Sequence, residues 1–63
     1  MIVKFKHHSS ERCFYVESAT VSAISDETYL ADEPNTRVWL NCGEFFDVGY
    51  PVEVVRNMLN WDK

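Results

Sequence analysis

The 63-residue chain has two glycines, two prolines and two cysteines. Isolated glycines at 43 and 49 build no phosphate-cradling loop, which excludes nucleotide chemistry of the glycine-rich type. The same scarcity argues against a disordered chain, because apolar residues supply 46% of the sequence and aromatics 14%. Cys13 and Cys42 form no CxxC pair, and with His7 and His8 they lack the paired spacing of structural zinc sites. Adjacent histidines on a strand are also expected to face opposite ways. No metal or other cofactor is therefore expected.

Long apolar runs are missing too. The opening MIVKFKHHSSER holds none long enough for a signal peptide, and no later stretch approaches membrane-spanning length. The expectation is a cytoplasmic protein whose two thiols are reduced and buried. Positive charge is scarce, with six Lys and Arg against ten Asp and Glu, a formal charge of -4 and a pI near 4.9. That balance disfavours direct binding to DNA, RNA or anionic lipid, which draws its affinity from cations. A compact chain of this length has a radius of gyration of about 10 to 11 Å, room for one domain (residues 1–63) and little for a deep pocket. No enzyme is expected.

The segments that remain have readable periods. IVKFKH alternates, with Val3 and Phe5 opposite Lys4 and Lys6, and predicts a strand. HSSER supplies a turn, and CFYVES predicts an antiparallel return strand. TVSAIS either extends that strand past a bend or starts an irregular element. TRVWLNCGEFFDV predicts a hairpin reversing at Gly43, with Val38, Leu40 and Cys42 on one face and Arg37, Trp39 and Asn41 on the other. YPVEVVRNMLNWDK predicts a helix with Pro51 at its first position. Its stripe of Val52, Val54, Val55, Met58, Leu59 and Trp61 would lie across one sheet face. The fold class expected is α+β, a small antiparallel sheet packed by one C-terminal helix.

If the helix covers one face, Arg37, Trp39, Phe45 and Asp47 are on the other. Trp39, Phe45 and Tyr15 could stack single-stranded nucleic acid only beside a positive groove, which six scattered cations do not make. A Trp on an open face suits protein binding instead. A Cys/His nucleophile pair would need Cys13 near His7 or His8, but no activating third residue is marked.

What the chain has in excess is acid. SDETYLADEPN, residues 25 to 35, holds Asp26, Glu27, Asp32 and Glu33, with no Lys or Arg between Glu17 and Arg37. Ser25 could cap a short helix there, or ETYLA could form an edge strand, with a turn at Glu33-Pro34-Asn35. The plain reading is a solvated loop. The sharper one is partial imitation of nucleic-acid phosphate, the four acids acting jointly within about one Debye length, ~8 Å.

A very short acidic chain with a sheet, one helix, no catalytic motif and the stretch SDETYLADEP resembles the small phage-encoded inhibitors of the anti-CRISPR type. The resemblance covers the whole chain in size and charge and transfers no residue, because the folds in that class are unrelated. It implies an acidic nucleic-acid mimic acting on a CRISPR surveillance complex in the host cytoplasm.

The expected function is a non-enzymatic inhibitor that docks an acidic surface onto a basic nucleic-acid-binding protein and competes with DNA or RNA. Asp26, Glu27, Asp32 and Glu33 would supply the attraction, Glu44 and Asp47 would extend the field, and Tyr29 or Trp39 would be the desolvated anchor. The alternative is a small accessory subunit or homodimer associating through an exposed sheet face or edge strand. A third reading is a small hydrolase using Cys13 or Cys42.

Overall fold

Along IVKFK the buried side chains are Val3 and Phe5, while Ile2, Lys4 and Lys6 face solvent, the pattern of a half-buried strand. The computed structural model describes residues 1–30 and 32–61. In it this segment is β1 (Ile2–Lys6), paired antiparallel with β2 (Cys13–Glu17). The elements expected over ETYLA and NWDK reach Ala31, Asp62 and Lys63, which lie outside the described residues.

A short 3₁₀ turn at Ser18–Thr20 leads into β3 (Val21–Asp26). This strand does not continue β2. It pairs with β4 (Thr36–Leu40), and β5 (Phe45–Val48) completes the order β3-β4-β5. The expected single sheet is thus two antiparallel sheets, of two and three strands, and the fold class is α+β. The sheets meet at a seam. His7 bridges Val48, Gly49 N–H donates to the Lys6 carbonyl at 3.2 Å, and Lys6 N–H donates to Tyr50 Oη at 3.2 Å. Gly49 permits the approach, since a Cβ there would sit 3.2 Å from His8 Cα.

The β4–β5 hairpin reverses as the sequence predicts, with Gly43 at φ 94°. Beyond β5, Pro51 caps the helix α1 (Val52–Met58) rather than forming its first residue. The helix is two turns long. Asn60 at φ 63° ends it: Asn60 N–H donates to the Asn57 carbonyl at 3.0 Å and Trp61 N–H to the Arg56 carbonyl at 2.9 Å, a Schellman motif. So short a helix offers the core one i, i+4 row. Of the six-residue stripe only Val55 and Leu59 are buried, Val52 and Met58 are half-buried, and Val54 and Trp61 are exposed. α1 packs on β3.

Every regular element feeds one core: Val3 and Phe5, Val16, Val21, Val38, Val48, and Val55 with Leu59 just past α1. The cysteines are absent from it, which corrects the expectation that they are buried. Both are free and exposed. The reason is strand phase. Val16 claims the inward side of β2 with Phe14 half-buried beside it, so Cys13 turns outward with Tyr15, and Cys42 lies past β4 in the reversal. No described helix is long and apolar enough to cross a membrane.

Candidate binding face of the three-stranded sheet

Alternation in β4 and β5 turns Val38 inward, leaving Arg37, Trp39, Phe45 and Asp47 together on the opposite face. Register makes them cross-strand pairs, Arg37 with Asp47 and Trp39 with Phe45. Arg37 Nε donates to Asp47 Oδ1 at 2.9 Å, and its guanidinium lies 4.3 Å from the Phe45 ring centroid. The Trp39 and Phe45 rings are 4.7 Å apart. Stacking and ion pairing hold this cluster in one geometry, so little side-chain entropy remains to be lost when a partner lands on it.

The carboxylate-rich segment borders the same face. Trp39 Nε1 donates to Ser25 Oγ at 3.4 Å, and Ser25 Oγ donates to Glu27 Oε2 at 2.8 Å. The Tyr29 phenol is held above its ordinary range, chiefly by a hydrogen bond to Glu27 and by the charge of that carboxylate. Tyr29 itself is 79% exposed. Ser25 is the end of β3 and not a helix cap. Asp26 takes the local capping role, its Oδ1 accepting from Thr28 N–H at 3.0 Å above a 3₁₀ turn at Thr28–Leu30. The loop then folds back, because Glu27 N–H donates to the Asn35 carbonyl at 2.9 Å.

That fold-back divides the four acids. Asp26 and Glu27 stand at the end of β3, whereas Asp32 and Glu33 line a groove of about 690 Å³ together with Lys6, His7, His8 and Glu11. Asn35 lines it too and is buried, with Oδ1 lacking a hydrogen-bond partner among the described residues. The histidines do not face opposite ways as expected, since their rings are 4.6 Å apart. The strand ends at Lys6, and His8 already belongs to the bend. His7 Nδ1 accepts from Ser9 N–H at 3.2 Å, so this nitrogen serves the loop. Cys13 Sγ donates to the Glu11 carbonyl, at 4.0 Å, and no histidine nitrogen hydrogen-bonds to either thiol among the described residues. Those residues also contain no group of three side chains placed to hold a metal ion.

Charge is unevenly shared along the chain. Residues 1–16 carry three Lys and Arg against one carboxylate, and residues 17–53 carry eight carboxylates against one arginine. Among the described residues the ion pairs are Arg37 with Asp47 and the Met1 amino group with Glu17. Asp47 therefore does not extend the acidic field, because Arg37 neutralises it. Asp26, Glu27, Asp32, Glu33 and Glu44 have no cation within ion-pair distance among the described residues.

The Arg37–Asp47 pair and the Ser25 link were missed in the sequence reading. The pair had a signal: a hairpin turning about residue 42 sets position 37 against 47. The groove had none, because it joins segments distant along the chain.

Hydrogen bonds from the Thr28 hydroxyl and N–H hold the Asp26 carboxyl below its ordinary value of 3.8. A depressed folded-state pKa stabilises the protein above the unfolded value, and this contribution disappears as pH falls through the folded value. Asp26→Ala is expected to lower the urea midpoint near pH 7 and leave it little changed at about pH 2. Parallel losses at both pH values would assign the effect to packing.

No family model, curated protein or solved structure matches the chain.

Proposed function

We propose that the chain is a non-enzymatic binding protein that sets an acidic, aromatic face against a basic nucleic-acid-binding surface and competes there with DNA or RNA. The observation carrying this reading is that, among the described residues, Asp26, Glu27, Asp32, Glu33 and Glu44 are spent on no ion pair, and that Asp26 and Glu27 stand beside an aromatic cluster fixed in place. Unpaired carboxylates supply attraction and association rate, and rigid rings supply the desolvated contact that charge alone lacks.

Magnitude sets the extent of the imitation. The longest axis is 29 Å, along which duplex DNA presents about seventeen charges at one per ~1.7 Å. Ten carboxylates in the whole chain cannot match that. The protein therefore stands in for a short run of phosphates, as at a recognition element. A CRISPR surveillance complex offers such a basic surface and is the partner class implied by the resemblance. The setting proposed is the cytoplasm, that of the host if a phage encodes the chain, where exposed Cys13 and Cys42 stay reduced.

Replacing Asp26, Glu27, Asp32 and Glu33 by Asn or Gln is the test. Partner capture should fall steeply and lose its salt dependence, with thermal stability little altered. Capture that survives unchanged would make the acids a solubility device only.

A further inference from the structure

We infer that a second copy of this chain pairs with the free edge of β2, joining the two hairpins into one antiparallel four-stranded sheet. The hydrogen-bond phase of the β1–β2 ladder carries the argument. His7 N–H donates to the Arg12 carbonyl at 2.9 Å and Ser18 N–H to the Met1 carbonyl at 2.8 Å. Both bonds belong to the register that pairs Phe5 with Phe14 and Val3 with Val16. Bonded and non-bonded pairs alternate in an antiparallel ladder. The backbone groups of Cys13, Tyr15 and Glu17 thus point away from β1. The complementary phase on β1 agrees, since Lys6 directs both its N–H and its carbonyl across the seam.

Among the described residues, only the Glu17 carbonyl of that outward row has a protein partner, the Thr20 hydroxyl at 2.7 Å. The edge is also unguarded. CFYVE contains no proline, bulge or cation, which are the usual blocks to edge pairing. The opposite edge of the fold differs, because β3 carries a register irregularity between Val21 and Ala23 and ends on Asp26.

A two-fold axis at Tyr15 fits best. In that register Tyr15 meets its counterpart through both N–H and carbonyl, and the Cys13 carbonyl meets the Glu17 N–H of the second copy. The outer surface then reads Lys4, Tyr15, Tyr15, Lys4 across its centre. Tyr15 is 69% exposed in the single chain, and Lys4 Nζ lies 6.0 Å from its ring centroid. Beside this row, Cys13 of one copy faces Glu17 of the other. That carboxylate stays with the amino group of its own Met1, 2.6 Å away. No like charges are therefore set face to face across the axis.

The surface is distinct from the acidic face, so this inference can fail without affecting the proposed function. Sedimentation equilibrium from micromolar to millimolar concentration tests it. The weight-average mass of the wild type should rise toward that of two chains. Tyr15→Glu sets two carboxylates face to face at the axis while giving Lys4 a cross-strand partner, so the monomer is retained and the dimer should weaken at least tenfold. Tyr15→Pro removes an outward N–H that the β1–β2 ladder does not use, and should have the same effect. A wild type that stays monomeric throughout, or a Tyr15→Glu variant that dimerises equally well, overturns the inference.

Discussion

Phe5→Ala is expected to leave the chain largely unfolded at room temperature. Phe5 is completely buried, with its ring 6.1 Å from Phe46 and 6.2 Å from Tyr50. It stands where β1 meets β5 across the seam, so both sheets lose packing when it is truncated. A buried Phe→Ala change costs about 3–5 kcal/mol. A 63-residue chain has a total stability of only about 3–9 kcal/mol. The two ranges overlap, and the eight buried apolar side chains among the described residues have little capacity to repack. Phe5→Leu keeps most of the volume and should remain folded with a lowered melting point. Far-UV circular dichroism during a thermal scan separates the cases. A Phe5→Ala variant melting within a few degrees of wild type would mean that the two sheets do not depend on one core.

The second large effect is on binding. Trp39→Ala should weaken the interaction with a nucleic-acid-binding partner by at least about thirtyfold, as expected for a truncated aromatic anchor worth about 2 kcal/mol. Trp39 is half-buried, between the Phe45 ring and the Ser25 hydroxyl. Its removal also frees the Arg37 guanidinium from an indole 5.9 Å away. The thermal midpoint should fall only modestly, because the opposite side of β4, with Val38, still packs the core. The salt dependence should persist, since the carboxylates are untouched. That separates this variant from the acid-to-amide set, which should lose the salt dependence itself. Equal affinity for wild type and Trp39→Ala would remove the aromatic cluster from the interface.

Local periodicity made much of this fold legible. Val3 and Phe5 against Lys4 and Lys6, and Val38 against Arg37 and Trp39, are two-residue alternations that require no distant information. The reversal at Gly43 has the same local character. Pairing between distant segments was not legible, and it decides the rest. Whether VSAISD continued β2 or paired elsewhere depends on β4, which lies beyond the acidic loop. The helical stripe was read too wide because the stop at Asn60 is a left-handed residue other than glycine, and asparagine alone is a weak sign of a helix end. Cys13 faced outward because Val16 fixed the phase of β2, a competition that composition does not display.

The site divides along the same line. Density of Asp and Glu over residues 26–33 was plain in the sequence. It did not show that the Glu27–Asn35 backbone bond would send two carboxylates to the sheet and two to the histidine groove. Nor did it show that Arg37 would take up the charge of Asp47 while the other acids kept theirs.

The most direct measurement is capture of proteins from a cell lysate by the immobilised chain, with and without an excess of single- and double-stranded oligonucleotide. Basic, nucleic-acid-binding proteins should be retained by the wild type, released by the oligonucleotide, and ignored by the variant with amides at 26, 27, 32 and 33. Retention unaffected by oligonucleotide and by loss of those four charges would contradict the account.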